Sequence, residues 1–73
     1  MTSKQFDTVF RAFCNRRPFR KCCIEFTSGQ QVIVLHPEAI RREGDLYAMR
    51  TPDGGSVVFA ADSVVRFIDP PAA

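Results

Sequence analysis

The stretch from residue 21 to residue 35, KCCIEFTSGQQVIVL, constrains the fold more than any other part of the chain. Apolar and mixed side chains alternate from Cys22 to Thr27, and this period of two places successive residues on opposite faces of a β-strand. Gly29 then accepts the positive φ of a tight reversal, because it has no Cβ to clash. The pattern therefore predicts a β-hairpin with strands at about residues 21–27 and 30–35.

The second strand of this hairpin is apolar on both faces, because four apolar residues follow one another from Val32 to Leu35. A strand of that kind is usually covered on both sides. The rest of the chain has to supply the cover.

An amphipathic helix at about residues 3–15 is predicted to lie against the sheet. Thr2 followed by Gln5 has the spacing of a capping box, Asn15 is a candidate left-handed stop, and Pro18 prevents continuation. The apolar stripe of this helix consists of Phe6, Val9, Phe10, Phe13 and Cys14.

Alternating or continuous apolar residues predict three further strands, at about residues 46–51, 56–60 and 64–68. The turn Pro52-Asp53-Gly54-Gly55 separates the first two. His36 to Ile40 predicts one helical turn with Pro37 at its first position. Residues 41–45 are predicted as a charged loop, and residues 69–73 as a disordered tail.

These elements predict a single domain over residues 1–73 of the α+β class. An N-terminal amphipathic helix would pack on a strongly bent five-stranded antiparallel sheet, which forms a small barrel. An open sheet with the helix across one face is the alternative. A composition with 45% hydrophobic and 25% charged residues is that of an ordinary globular protein.

The order of elements resembles the Sm-like barrels of the bacterial Hfq type, which are SH3-like small barrels. The resemblance covers about residues 3–68 and rests on the N-terminal helix, the turn at Gly29, and the short final strands SVVFA and VVRFI. It implies RNA binding at the corner between the last two strands, which here reads Ala60-Ala61-Asp62-Ser63. Because Asp62 repels phosphate, we expect that nucleotide pocket to be lost.

A second resemblance is to short bacterial proteins built on the pattern R-P-F…D-G…H-P-E…D-G. The matching residues are Arg17-Pro18-Phe19, Ser28-Gly29, His36-Pro37-Glu38 and Asp53-Gly54. This likeness implies no activity.

The chain is predicted not to be an enzyme and to need no metal, cofactor or small-molecule substrate. His36 and Glu38 come close in sequence, but acid–base catalysis needs a positioned partner and a pocket. The three cysteines are an odd number, and their spacing is not that of a zinc site. Reduced, buried thiols are expected, with a reactive thiol as the alternative.

A basic cluster at the end of the predicted helix is the first candidate binding site. Residues 1–21 carry six basic side chains and one acidic side chain, whereas residues 22–73 have a net charge of −3. Guanidinium groups bind phosphate, so RNA or another nucleic acid is a possible partner. Alternatively, these side chains are solvated and offset the helix dipole. Tyr47 is the one ring expected to be exposed for stacking. The candidate residues are Arg11, Arg16, Arg17, Arg20 and Lys21.

The last two predicted strands are the second candidate site, because both are apolar on two faces. An uncovered apolar edge without Lys or Pro promotes association, and an identical chain would cover it as a dimer or ring. Alternatively, the helix and the opposite wall of the barrel cover these residues within one molecule. The self-association candidates are Val57, Val58, Phe59, Val64, Val65 and Phe67.

Residues 1–10 have no signal-peptide pattern, and no apolar run approaches the roughly 20 residues of a membrane-spanning helix. The sequence therefore predicts a cytoplasmic location without a membrane partner.

Overall fold

The computed structural model describes residues 1–70, so the end of the predicted tail, residues 71–73, lies outside the described part of the chain. Two short 3₁₀ turns, Pro37–Ala39 and Ala61–Ser63, join consecutive strands. The helix and strands are α1 (Ser3–Cys14), β1 (Cys22–Phe26), β2 (Gln31–Val34), β3 (Ile40–Glu43), β4 (Leu46–Arg50), β5 (Ser56–Ala60) and β6 (Val64–Ile68).

The predicted hairpin is confirmed as β1 and β2, which pair antiparallel with Cys23 opposite Ile33. Gly29 takes a φ of 89°, and its N–H donates to the carbonyl of Phe26 at 2.8 Å. The predicted cover on both sides of β2 is wrong. Val32 and Val34 are buried, whereas Ile33 is 38% exposed, so only one face of this strand lies against the core.

The α+β class is confirmed, but the single five-stranded barrel is not. The six described strands form two antiparallel three-stranded sheets, with strand orders β2-β1-β6 and β3-β4-β5. We call them sheet A and sheet B. Within residues 1–70 neither sheet closes on itself, because the chain changes sheets at the two 3₁₀ turns.

The additional strand is β3, so the prediction of a charged loop at residues 41–45 is wrong for residues 41–43. Arg42 pairs with Tyr47 across β3 and β4, and Gly44 makes the reversal with a φ of 62°. Charged side chains suit β3 because it is an edge strand exposed to solvent.

The helix begins with the predicted capping box, in which Thr2 and Gln5 bond to each other's backbone N–H. The predicted left-handed stop is wrong, because Asn15 has a φ of −85° and its N–H donates to the carbonyl of Arg11. α1 has 12 residues, and no helix in the described chain is long and apolar enough to cross a membrane.

Phe6 of α1 is the centre of the core and has no exposed surface. Its ring centroid lies 4.3 Å from that of Tyr47, 5.7 Å from that of Phe59 and 5.1 Å from that of Phe67. The helix therefore packs on both sheets at once. The prediction that Tyr47 is an exposed ring is wrong, since it is 2% exposed and its hydroxyl donates to Asp7 Oδ1 at 2.8 Å.

Candidate functional site

Arg16, in the predicted basic cluster, is a structural residue. Its Nη1 donates to Asp69 Oδ1 at 2.6 Å, and its Nη2 donates to the carbonyl of Arg20 at 3.0 Å. The guanidinium carbon lies 4.6 Å from the ring centroid of Phe13. The side chain of Arg16 is only 19% exposed, both of its Nη atoms are engaged, and its Nε–H is buried without a hydrogen-bond partner in the described chain. Arg16 is therefore not available to bind phosphate.

The other four residues of the cluster are exposed: Arg11, Arg17, Arg20 and Lys21. Arg16 holds the carbonyls of Arg20 and Lys21, at 3.0 and 3.4 Å, and so fixes the backbone of the segment between α1 and β1. The exposed cluster therefore has four basic residues instead of the five that the sequence predicts. Hydrogen bonds from Arg16 hold the backbone of two of them, Arg20 and Lys21.

Asp69 belongs to this region although the sequence predicts it as part of the disordered tail. The hydrogen bond from Arg16 lowers the pKa of the Asp69 carboxyl, and the charges of Arg16 and Arg20 act in the same direction. An open groove of about 250 Å³ lies beside it and is lined by Arg20, Lys21, Asp69 and Pro70. A carboxylate therefore lies next to two of the four exposed cations.

The structure divides the self-association candidates into two groups. Those with mainly inward side chains are Val57, Phe59, Val64 and Phe67, of which all but the half-buried Val57 are at most 8% exposed. Val58 and Val65 point outward and are 63% and 49% exposed. The helix and the facing sheet cover the inward residues within one molecule, which leaves Val58 and Val65 as the exposed members of the set.

The edges of β5 and β6 remain open in the described chain, because each strand has one neighbour in its sheet. β5, with the sequence SVVFA, carries no charge and no proline. β6 carries Arg66, whose Nη2 lies 3.1 Å from Glu25 Oε1. The pairing of β6 with β1 also shifts register, since Glu25 faces Arg66 and Phe26 faces Val64.

The outer face of sheet B is apolar around Val58. Tyr47, Met49 and Phe59 point into the core, so the residues that alternate with them point outward. Val58 pairs with Ala48, and Leu46, which is 44% exposed, pairs with Ala60. These four residues form a small apolar patch that reaches the open edge of β5.

His36 and Glu38 are both exposed and line an open groove of about 310 Å³. The side chain of His36 makes no capping bond to the 3₁₀ turn that it precedes. The groove is also lined by Arg50 and Thr51, and no cysteine or serine is among its described lining residues. In residues 1–70 no three His, Cys, Asp or Glu side chains gather as a metal site.

The three cysteines are free thiols, of which Cys22 and Cys23 are buried and Cys14 is half-buried. Burial raises the pKa of Cys22 to about 11, and it also raises the pKa values of Cys14 and Cys23. A thiol must ionise to act as a nucleophile. These pKa directions therefore favour the expected role of the cysteines as small apolar residues.

Comparison of the chain with protein-family models, with curated proteins and with solved structures finds no match.

Proposed function

We propose that this protein is a non-enzymatic interaction module that associates with copies of itself through the open edges of its sheets. The observation that carries the proposal is the edge of β5, which is uncharged and presents Val58 with 63% of its surface exposed. Such an edge offers free backbone donors and acceptors next to apolar side chains, and natural proteins protect or cover such edges.

A comparison with the opposite edge of the same sheet supports this proposal. β3 has the sequence IRRE, and its side chains from Arg41 to Glu43 are exposed. Charges on an edge strand disfavour pairing with another chain. One edge of sheet B is therefore protected by charge and the other is not, as expected if only β5 meets a partner.

Light scattering over a range of micromolar concentrations tests the proposal. We expect a mass that is a multiple of the 8.2 kDa of one chain and that falls on dilution. A mass of one chain at every concentration would contradict self-association.

Nucleic-acid binding through Arg11, Arg17, Arg20 and Lys21 is the second candidate function, and the exposure of these four side chains favours it. Phosphate contacts release counterions, so the affinity for a single strand should fall as the salt concentration rises. A plot of the logarithm of the affinity against the logarithm of the salt concentration should have a slope of about −0.7 for each phosphate contacted. The double substitution Arg17→Glu and Arg20→Glu should abolish retention on a polyanion column. Arg41→Glu, on β3, is the matched control. Retention that changes neither with salt concentration nor with the double substitution would exclude nucleic-acid binding through this cluster.

The likeness to Sm-like small barrels stays a proposal. The N-terminal helix, the hairpin that turns at Gly29, and the final pair β5 and β6 joined by a single 3₁₀ turn support it. A cytoplasmic location and the lack of a cofactor are likewise predictions.

A further inference from the structure

We infer that β5 pairs antiparallel with β5 of a second copy, about a twofold axis at Val58, to form a continuous six-stranded sheet. This inference rests on the proposed self-association and specifies its geometry. The strand order becomes β3-β4-β5 followed by β5-β4-β3 of the second copy. The unprotected β5 edge of each copy is then buried by the same contact, as in any twofold interface.

The residues of β5 are complementary to themselves in this register. Val58 lies opposite Val58 of the second copy on the outer face, where the apolar patch of one chain continues into that of the other. Val57 lies opposite Phe59 of the second copy on the inner face, and both side chains already point toward the core. Pairs of aromatic and β-branched residues are favourable across antiparallel strands. The ends of the strand, Ser56 and Ala60, are small and uncharged.

The edge of β6 is a poorer candidate for twofold pairing. It carries Arg66, and an axis through that residue would bring two guanidinium groups opposite each other. Arg66 already pairs with Glu25 of its own chain. In addition, the shift in register against β1 leaves Val65 as an extra residue, and a bulge of this kind twists an edge away from a partner.

The edge of β2 gains less from a partner than that of β5. Its inward residues Val32 and Val34 are 8% and 0% exposed, and its outward residue Ile33 is 38% exposed. Val58 has the largest exposed fraction among the large hydrophobic side chains of the described chain, and Val57 beside it is only half-buried. Burial of apolar surface is the main gain in association, so β5 is the preferred edge.

Charge at position 58 provides a test that depends on the register. Val58→Lys and Val58→Glu should each give a monomer by light scattering, because like charges would face each other across the axis. A 1:1 mixture of the two variants should restore the dimer, since lysine on one chain then faces glutamate on the other. Val65→Lys on β6 and Ile33→Lys on β2 are matched controls that should leave the dimer intact. Circular dichroism confirms that each variant folds.

The outcomes separate this inference from the function on which it rests. A monomeric wild-type protein would overturn both. Three results would leave self-association standing and overturn the twofold axis at Val58. They are an oligomer that persists with Val58→Lys, an oligomer that dissociates with Val65→Lys or Ile33→Lys, and a wild-type oligomer of more than two chains. Two monomeric variants that fail to associate when mixed would also overturn the proposed register.

Discussion

Arg16 and Asp69 form an ion pair of 2.6 Å that joins the exit of α1 to the residue after β6. The two residues are 53 positions apart in the chain. The same guanidinium lies over Phe13 and holds the carbonyl of Arg20. Arg16, one of the five residues of the predicted phosphate-binding cluster, therefore stabilises the fold, whereas its neighbour Arg17 is exposed.

Arg16→Ala should lower the free energy of unfolding by about 1–3 kcal/mol, because it removes hydrogen bonds of a charged donor and its contact with Phe13. Arg17→Ala, at an exposed position, should change it by less than about 0.5 kcal/mol. Urea unfolding of the two variants measures the difference. Equal losses would mean that Arg16 is as solvated as Arg17.

Stability should fall as the pH is lowered from about 5, because hydrogen bonds lower the pKa values of three carboxyl groups in the folded chain: Glu25, Asp53 and Asp69. The hydrogen bond from Arg16 lowers the pKa of Asp69, and that from Gln31, followed by that from Arg66, lowers the pKa of Glu25. A pKa that is lower in the folded than in the unfolded chain contributes stability above the unfolded value. That contribution is lost as the pH falls through the folded value.

Urea midpoints at several pH values between 7 and 3 check this prediction. Asp69→Asn should make the loss of stability with acid shallower, because the amide has no proton to gain in this range, while Glu25 and Asp53 still contribute. A variant that loses stability with acid as steeply as the wild type would show that the Arg16–Asp69 pair does not contribute.

Phe6→Ala should cost about 3–5 kcal/mol, which is most of the stability of a small domain. Phe6 is fully buried and touches rings from both sheets, whereas Phe10 is half-buried on the same stripe. Phe10→Ala should therefore cost less. Thermal or urea unfolding ranks the two variants, and the reverse order would contradict the docking of α1 through Phe6.

The buried thiols should resist alkylation in the native protein at pH 8, because burial keeps the pKa values of Cys22 and Cys23 above their usual range. Cys14, which is half-buried, should react first. Mass spectrometry after iodoacetamide treatment counts the modified residues, and urea should make all three reactive. Rapid labelling of Cys22 without urea would mean that the end of β1 is open.

The hairpin and the helix could be predicted because local patterns determine them. Gly29 marks the turn between β1 and β2, and the capping box at Thr2 marks the start of α1. These signals depend on residues that are close in sequence, so one chain is enough to recognise them.

Other features depend on partners that are distant in the chain. β3 has only Ile40 as an inward apolar residue and is a strand because β4 pairs with it. Tyr47 alternates with Leu46 and Ala48, and either set could face the core by its apolar character. The hydroxyl of Tyr47 is accommodated inside because Asp7 of α1 accepts its hydrogen bond.

The basic cluster was only partly predictable for the same reason. Its charge is evident from composition, but the engagement of Arg16 requires Asp69 at the other end of the chain. The candidate edge strands were correctly placed in sequence. The exposure of their side chains could not be predicted, because it depends on how α1 covers each sheet.

Phe6 contacts Phe59 of sheet B and Phe67 of sheet A, and no strand pairing links the two sheets among residues 1–70. The two sheets also pack directly on each other, since the ring centroids of Phe26 and Phe59 lie 5.1 Å apart, so the helix adds a second contact between them. Amide protons of α1 should exchange with heavy water as slowly as those of β1 and β4, because displacing the helix exposes the core residues of both sheets to water together.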